Sequence, residues 1–302
     1  MEPTGIVVLD KPKGWTSHDC VHQMRKWFQT RKVGHTGTLD PEVDGVLPIC
    51  IGKATKVVKY MADYDKTYIG EVTFGVATTT EDAHGEVVEE KRVNKPFTRT
   101  EIEALLQAFI GKIEQTPPYY SAVKVNGKRL YEYARAGIEV ERPTRTVEIK
   151  ALTLTEITTA KPGCFSFAFS VTCTKGTYIR TLAVDIGKKA GYPAHMSKLT
   201  RTASGPFTQA DAIPLSAFAE MSLDERLNKL RPLDTALQHY PRVTADKELE
   251  KRIRNGAVLE KSASFGDGRF LFYNEQGDCL ALYQAHPTKA GLIKPETLFC
   301  HV

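Results

Sequence analysis

Residues 34–49, GHTGTLDPEVDGVLPI, set one histidine and three carboxylates among three glycines. A carboxylate held beside a reacting carbon can attack it, stabilise positive charge on it, or help to remove a proton. The stretch is not a nucleotide-triphosphate loop. Gly45 and Gly52-Lys53 have the wrong spacing, and Ala54 stands where a Ser or Thr would hold magnesium. A second set, KGTYIR at 175–180, places Tyr178 and Arg180 where a glycine turn leads into a helix. A tyrosine face can stack on an unstacked base, and a guanidinium can pair with a carboxylate or a phosphate.

Each set also has an ordinary structural reading. Asp40 precedes Pro41, and a residue before proline is pushed away from helical dihedrals while proline suits the first helical position. Local pattern alone therefore favours Asp40 as a helix N-cap. Tyr178 could equally close a core edge with Arg180 turned to solvent. His18 and His22 lie one helical turn apart, but Asp-Cys-Val separates them and no third ligand is evident. They read as exposed histidines on an amphipathic helix rather than a metal site.

The elements that must position these residues alternate between strand and helix patterns. Residues 6–9 read as a short buried strand, and Ser17 can cap a helix over 17–28 with Val21, Met24, Trp27 and Phe28 on one face. A strand at 47–51, a helix around 55–61 and a strand at 66–74 follow. Thr98 and Glu101 form a capping-box pattern ahead of Ile102, Leu105, Leu106 and Phe109. Asn126-Gly127 signals a hairpin. Strands at 147–157 and 165–173 lead to a helix over 177–190. The pattern changes after 232–241: one helix (245–255) precedes three short strands near 270–273, 279–284 and 291–294. These signals predict a larger α+β part over 1–236 and a small β-rich module over 240–302.

Composition narrows the class. The chain has 302 residues, is 41% hydrophobic and 25% charged, and carries a net charge of +5. No apolar stretch is long enough for a membrane span, and no leader-like pattern opens the chain. The six cysteines are scattered without a C-x-x-C pair, which fits a reducing cytoplasm. Charge is concentrated: residues 174–201 hold six basic residues against Asp185 alone. Such a patch suits a polyanion, although a solvated basic face is the commoner origin of one.

Taken together, VLDKPKGWTS (8–17), KVGHTGTLDPEVDGVLPICIGKATK (32–56), KTYIGEVTFGVATTTEDAHG (66–85), SAVKVNGKRLYEYARAGIEVERPTR (121–145), KGTYIRTLAVDIG (175–187) and LTRTASGPF (199–207) resemble the bacterial tRNA pseudouridine(55) synthases of the TruB type. The resemblance implies a pseudouridine synthase fold, with a mixed, mainly antiparallel sheet flanked by helices and a C-terminal PUA-like RNA-binding domain. It implies a uridine isomerase acting on the T-arm stem-loop of tRNA, cytoplasmic and monomeric, needing neither metal nor cofactor. Uracil is detached, rotated and rejoined to ribose through C5.

By the same resemblance Asp40 is the catalytic carboxylate. Tyr68 stacks on the target base, and Tyr178 and Arg180 supply a second pocket tyrosine and the partner of Asp40. Leu199 closes an apolar wall, and His35 enters the RNA loop to support the flipped-out nucleotide. Lys11 and Lys66 orient the site or contact phosphate. Residues 116–145 form a thumb that clamps the RNA arm. One departure is Val43-Asp44-Gly45, where many relatives have Ala-Thr-Gly; it puts a second carboxylate near Asp40 that could raise its pKa. A tRNA-folding chaperone and a guide-RNA-dependent relative are the rival readings.

Overall fold

The computed structural model describes residues 2–158, 160–262, 265 and 268–300. A ten-stranded sheet forms its centre. The strands that matter for the site are β1 (Gly5–Lys11), β2 (Val33–His35), β3 (Asp44–Ile51), β4 (Lys66–Phe74), β5 (Gly111–Gln115), β6 (Arg145–Thr158), β7 (Phe165–Cys173) and β8 (Ala194–Ser204). Three helices pack against them: α1 (Ser17–Trp27), α2 (Arg99–Gln107) and α3 (Ile179–Ala190). The main path runs Ile213–Pro214, β1, β3, β8, β4, β7, β6, β5. Two contacts are parallel, β1 with Ile213–Pro214 and β3 with β8; the rest of this path is antiparallel. The α+β expectation and the mixed, mainly antiparallel sheet both hold.

Alternation along β4 and β7 explains the layering. Val72 and Phe74 pair across the sheet with Phe167 and Phe165, on the face that α2 and α3 cover. Gly70 sits opposite Phe169 and Leu199, and a Cβ there would lie 2.8 Å from the Phe169 ring and 3.2 Å from Leu199 Cδ1. Absence of a side chain lets those two groups close together beneath the cleft. Gly45, at φ +104°, is just as constrained. A Cβ there would lie 2.2 Å from the carbonyl oxygen of Arg201, where β3 and β8 run parallel.

Helix α1 starts one residue earlier than Ser17 suggests. Thr16 is the cap, sharing a reciprocal capping box with Asp19. Ser17 is instead buried, donating to the carbonyl of Leu39 (3.2 Å) and accepting from its N–H (2.9 Å). The helix expected near 55–61 is a 3-10 turn over Gly52–Val57 followed by one α-turn, Val58–Met61.

Residues 116–145 leave the sheet at β5 and return at β6, where Gln115 and Arg145 are paired. The insertion is therefore a side excursion from one ladder. It holds a hairpin, Lys124–Val125 with Lys128–Arg129, and a short helix, Leu130–Arg135. Asn126 (φ 50°) and Gly127 (φ 84°) form its two-residue turn, as their types predict.

Five short strands make a second sheet at the C-terminal end: Arg242–Thr244, Phe270–Tyr273, Cys279–Ala285, Leu292–Leu298 and Leu259–Glu260. Phe270, Phe272 and Tyr283 form its own core with Ile253 of a helix, Lys247–Arg254. Leu271, Tyr273 and Leu282 face the other way, packing with Ile6, Val8 and Cys50 of the catalytic part. Hydrogen bonds from Lys56 to the carbonyl of Leu298 (2.7 Å) and between Tyr60 and Thr297 (2.5 Å) cross the same junction. The β-rich module is thus docked through an apolar face, not merely tethered.

Candidate active site

Asp40 caps no helix. The chain makes a turn there, with the N–H of Val43 donating to the carbonyl of Asp40 (3.1 Å), and the carboxylate leaves its own backbone altogether. It meets Arg180, Nη2 to Oδ2 2.9 Å, across 140 positions of sequence. Local reasoning finds the cap because Asp-Pro is a good cap, but a buried guanidinium outbids backbone amides for the carboxylate.

The turn carrying Asp40 is fixed from behind. Lys11, wholly buried, donates to the carbonyls of Pro12 (2.9 Å), Trp15 (2.6 Å) and Pro41 (3.1 Å). All three ammonium donors are thereby used, so Lys11 orients the loop and has none left for a phosphate. Gly14 N–H also donates to the carbonyl of Pro41, and Ser17 holds Leu39. Residues on both sides of Asp40 are thus pinned by groups from the β1–α1 connection.

Arg180 stands in the first turn of α3, only 6% exposed at its side chain. Its Nη1 donates to the carbonyl of Thr80 (3.0 Å) and its Nη2 to that of Tyr120 (2.9 Å), with Asp82 at 4.0 Å. One fork therefore joins the Asp40 turn, the 79–85 loop and the root of the 116–145 insertion. Tyr178 is the residue before the helix. Gln115, buried at the end of β5, brackets it by accepting from its N–H (3.0 Å) and donating to its carbonyl (3.2 Å).

A cavity of about 320 Å³ opens between these elements, lined by Asp40, Lys66, Tyr68, Tyr178, Arg180, Leu199 and Arg201 among others. Six of the eight residues expected at the site line it. His35 and Lys11 do not. His35 lies on β2 beside the cavity wall, half-buried, its Nδ1 accepting from the N–H of Gly37 (3.3 Å). Burial first, then the charges of Arg201 and His18, lower its pKa, so the ring is neutral at pH 7 and carries its proton on Nε2. Lys66 donates to the carbonyls of Ala62 (2.8 Å) and Tyr64 (2.5 Å), and burial with Arg201 nearby lowers it to about 8.

Electrostatics around Asp40 are opposed. Burial raises its pKa above the usual carboxylate range, Arg180 pulls it down, and Asp82 pushes it up again. Asp44 is not the second carboxylate that matters: it accepts from Thr200 Oγ1 (2.5 Å) and faces Asp10, whose pKa it helps burial to raise. That separate groove also contains Trp15 and Trp27. Tyr68 is pushed above the ordinary phenol value by burial, with Arg201 opposing, and remains a phenol at neutral pH.

Sequence reasoning passed over Arg201, Gln115, Thr80 and Asp82. Arg201 is among the largest fully buried side chains, donating to the carbonyls of Val46 (2.7 Å) and Gly37 (3.1 Å) directly across the ladder from Tyr68. The signals for two of these were LTRT, from which Leu199 alone is taken as a site residue, and the TTTEDAHG end of the 66–85 motif, to which no site role is given. Among the described residues no cluster of side chains could hold a metal ion, and no helix is long and apolar enough to cross a membrane.

Residues 25–179 match the model of the TruB family pseudouridylate synthase N-terminal domain, and residues 180–238 that of the tRNA pseudouridylate synthase B C-terminal domain. The chain belongs to the TruB family. It is 99% identical over 302 residues to tRNA pseudouridine synthase B of Shouchella clausii, covering all of both chains. Against the protein of that name from Halalkalibacterium halodurans it is 54% identical, over 100% of this chain and 99% of the other. Among solved structures it resembles a chain of a Cbf5-Nop10-Gar1 complex, with TM-score 0.71 and 28% identity, over 99% of this chain and 86% of that one. The fold is that of the pseudouridine synthases, and membership of the TruB family makes the chain a tRNA uridine isomerase.

Proposed function

We propose that the chain converts the uridine at position 55, in the T-arm loop of tRNA, to pseudouridine, with Asp40 as the catalytic carboxylate. The observation that carries this reading is the Asp40–Arg180 pair on the wall of a cavity that also presents Tyr68, Tyr178 and Leu199. A uridine must leave its stack to enter such a cavity, which costs a few kcal/mol. The Tyr68 and Tyr178 faces offer stacking in return, and Leu199 excludes water. Arg180 keeps Asp40 ionised against its desolvated surroundings, so the carboxylate can act at C1′ while the glycosidic bond breaks. His35, neutral at the cavity edge, fills the gap the flipped nucleotide leaves. Lys66, close to neutral pH in its titration, orients the wall beneath Tyr68.

Residues 116–145 act as the thumb over the arm, anchored to Arg180 through the carbonyl of Tyr120. Residues 240–302 act as a PUA-like contact to more distant RNA, beside the catalytic domain of 1–236. The enzyme works as a monomer on bare tRNA. The test is reaction of purified protein with unmodified tRNA transcript, followed by site mapping of pseudouridine. The reading expects one modified position in the T loop, lost when that uridine is replaced by cytidine. Modification elsewhere, or a requirement for an added guide RNA, would overturn it.

A further inference from the structure

The His18–His22 pair is left over from the site, and it begins a cationic stripe. His18, His22 and Arg25 follow one another at helical spacing on α1, and Lys26, Arg31 and Lys32 continue the positive charge past its end. Residues 17–32 contain four basic side chains against one carboxylate, Asp19, which is bonded to the N–H (2.9 Å) and hydroxyl (2.6 Å) of Thr16. A shallow groove of about 500 Å³ lies at the far end, lined by His22, Arg25, Lys26, Gln29, Thr30 and Arg31.

Cations near a helix C-terminus are ordinarily explained by the helix dipole or by bonds to its last carbonyls. The dipole is enough for Arg25 and Lys26, which stand in the last turn of α1, but not for the charge that continues past it. Arg31 lies beyond the helix, and the side chains of Arg25, Lys26 and Arg31 have no hydrogen-bond or ionic partner among the described residues; Arg25 Nε is buried and unsatisfied. Lys32 alone is paired, with Glu2 at 3.2 Å.

The near end of the stripe meets the cleft. Helix α1 packs against β2, the strand that carries His35 beside the cavity. From His18 to Trp27 the helix advances about 14 Å, the span of a few nucleotide steps. We propose that the exposed face of α1 and the loop after it form a phosphate track, which carries the RNA backbone away from the flipped nucleotide. This rests on the tRNA reading above. The track differs from the thumb in using unpaired cations on α1 and the turn after it, which supply phosphate contacts without reading bases.

Lys26→Glu/Arg31→Glu alters two solvent-facing, unpartnered side chains, and Lys161→Glu/Lys229→Glu makes the same charge change elsewhere. Binding of unmodified tRNA transcript is measured for both and for wild type over a series of salt concentrations. At least a tenfold weaker Kd at 0.1 M salt is expected for the first variant, with a log K against log salt slope shallower by about 2. Its kcat at saturating tRNA should match wild type, and the second variant should bind within about twofold of wild type. Lys26→Gln/Arg31→Gln, which adds no charge, should show the same change in slope and guards against misfolding. Equal weakening in both Glu variants, or an unchanged slope in the first, overturns the track. A wild type that binds tRNA but forms no pseudouridine overturns the functional reading instead, and the binding comparison still decides the track.

Discussion

The Asp40 turn and the root of the 116–145 insertion line the same cleft and are built by opposite rules. Around Asp40, side chains from distant segments hold the backbone: Lys11 on Pro41, Ser17 on Leu39, Arg201 on Gly37. The insertion has one fully buried hydrophobic side chain, Leu130, and exposes Ile138. Its anchors are near its root: Arg142 donating to the carbonyl of Pro117 (2.9 Å) and lying over the Tyr119 ring, and Thr116 against Thr144 (3.0 Å). A carboxylate that must meet one carbon needs over-determined placement. An element proposed to close on RNA needs few contacts to break. Arg180 belongs to both, through Asp40 and through the carbonyl of Tyr120.

That shared residue gives the largest expected effect after Asp40 itself. Arg180→Met should lower kcat by about 10²–10³-fold, the usual cost of removing an aligned charge-stabilising donor. It should also move the acid limb of the pH–rate profile. In its proposed role Asp40 acts ionised, and its pKa is raised, so activity should be present above that pKa and lost as pH falls through it. Loss of Arg180 shifts the limb to higher pH. Asp82→Asn, which removes a like charge, shifts it to lower pH. Limbs that stay put in both variants would show that the measured group is not Asp40.

Lys11→Met addresses the rigid side alone. Three carbonyls lose their donor while one buried ammonium's desolvation cost is relieved, leaving a net loss of about 1–3 kcal/mol. Tm by differential scanning fluorimetry should fall by roughly 5 °C, with turnover down about tenfold. An unchanged Tm would mean the turn is held without Lys11.

Asn126→Ala/Gly127→Ala addresses the insertion alone. Both positions have positive φ, so the hairpin turn is strained by about 1–2 kcal/mol per residue. KM for tRNA should rise several-fold at unchanged kcat and unchanged Tm. A drop in Tm would make the insertion part of the core and erase the contrast.

What the sequence discloses follows the range of the interaction involved. The Asn126-Gly127 turn, the Thr98–Glu101 capping box and β4 over Lys66–Phe74 rest on neighbours in the chain, and all are legible. Asp40 is misread locally because its partner is Arg180. Ser17 is misread as a cap because a bond to Leu39 takes its hydroxyl. Asp44 attracts attention by proximity in sequence, whereas Asp82 is the carboxylate the folded chain brings near Arg180. Resemblance over long motifs supplies that long-range information for Asp40, Tyr68, Tyr178, Arg180 and Leu199. Gln115 lies outside those motifs, and Arg201 lies inside one without a role assigned to it; both hold other residues in place.

The most direct test of the Asp40 assignment is tritium release from tRNA transcript labelled at uracil C5, comparing wild type, Asp40→Asn and Asp44→Asn. Release by wild type and Asp44→Asn within a few-fold of each other, with none from Asp40→Asn, is the expected result. Comparable loss in both variants, or release that survives Asp40→Asn, would contradict it.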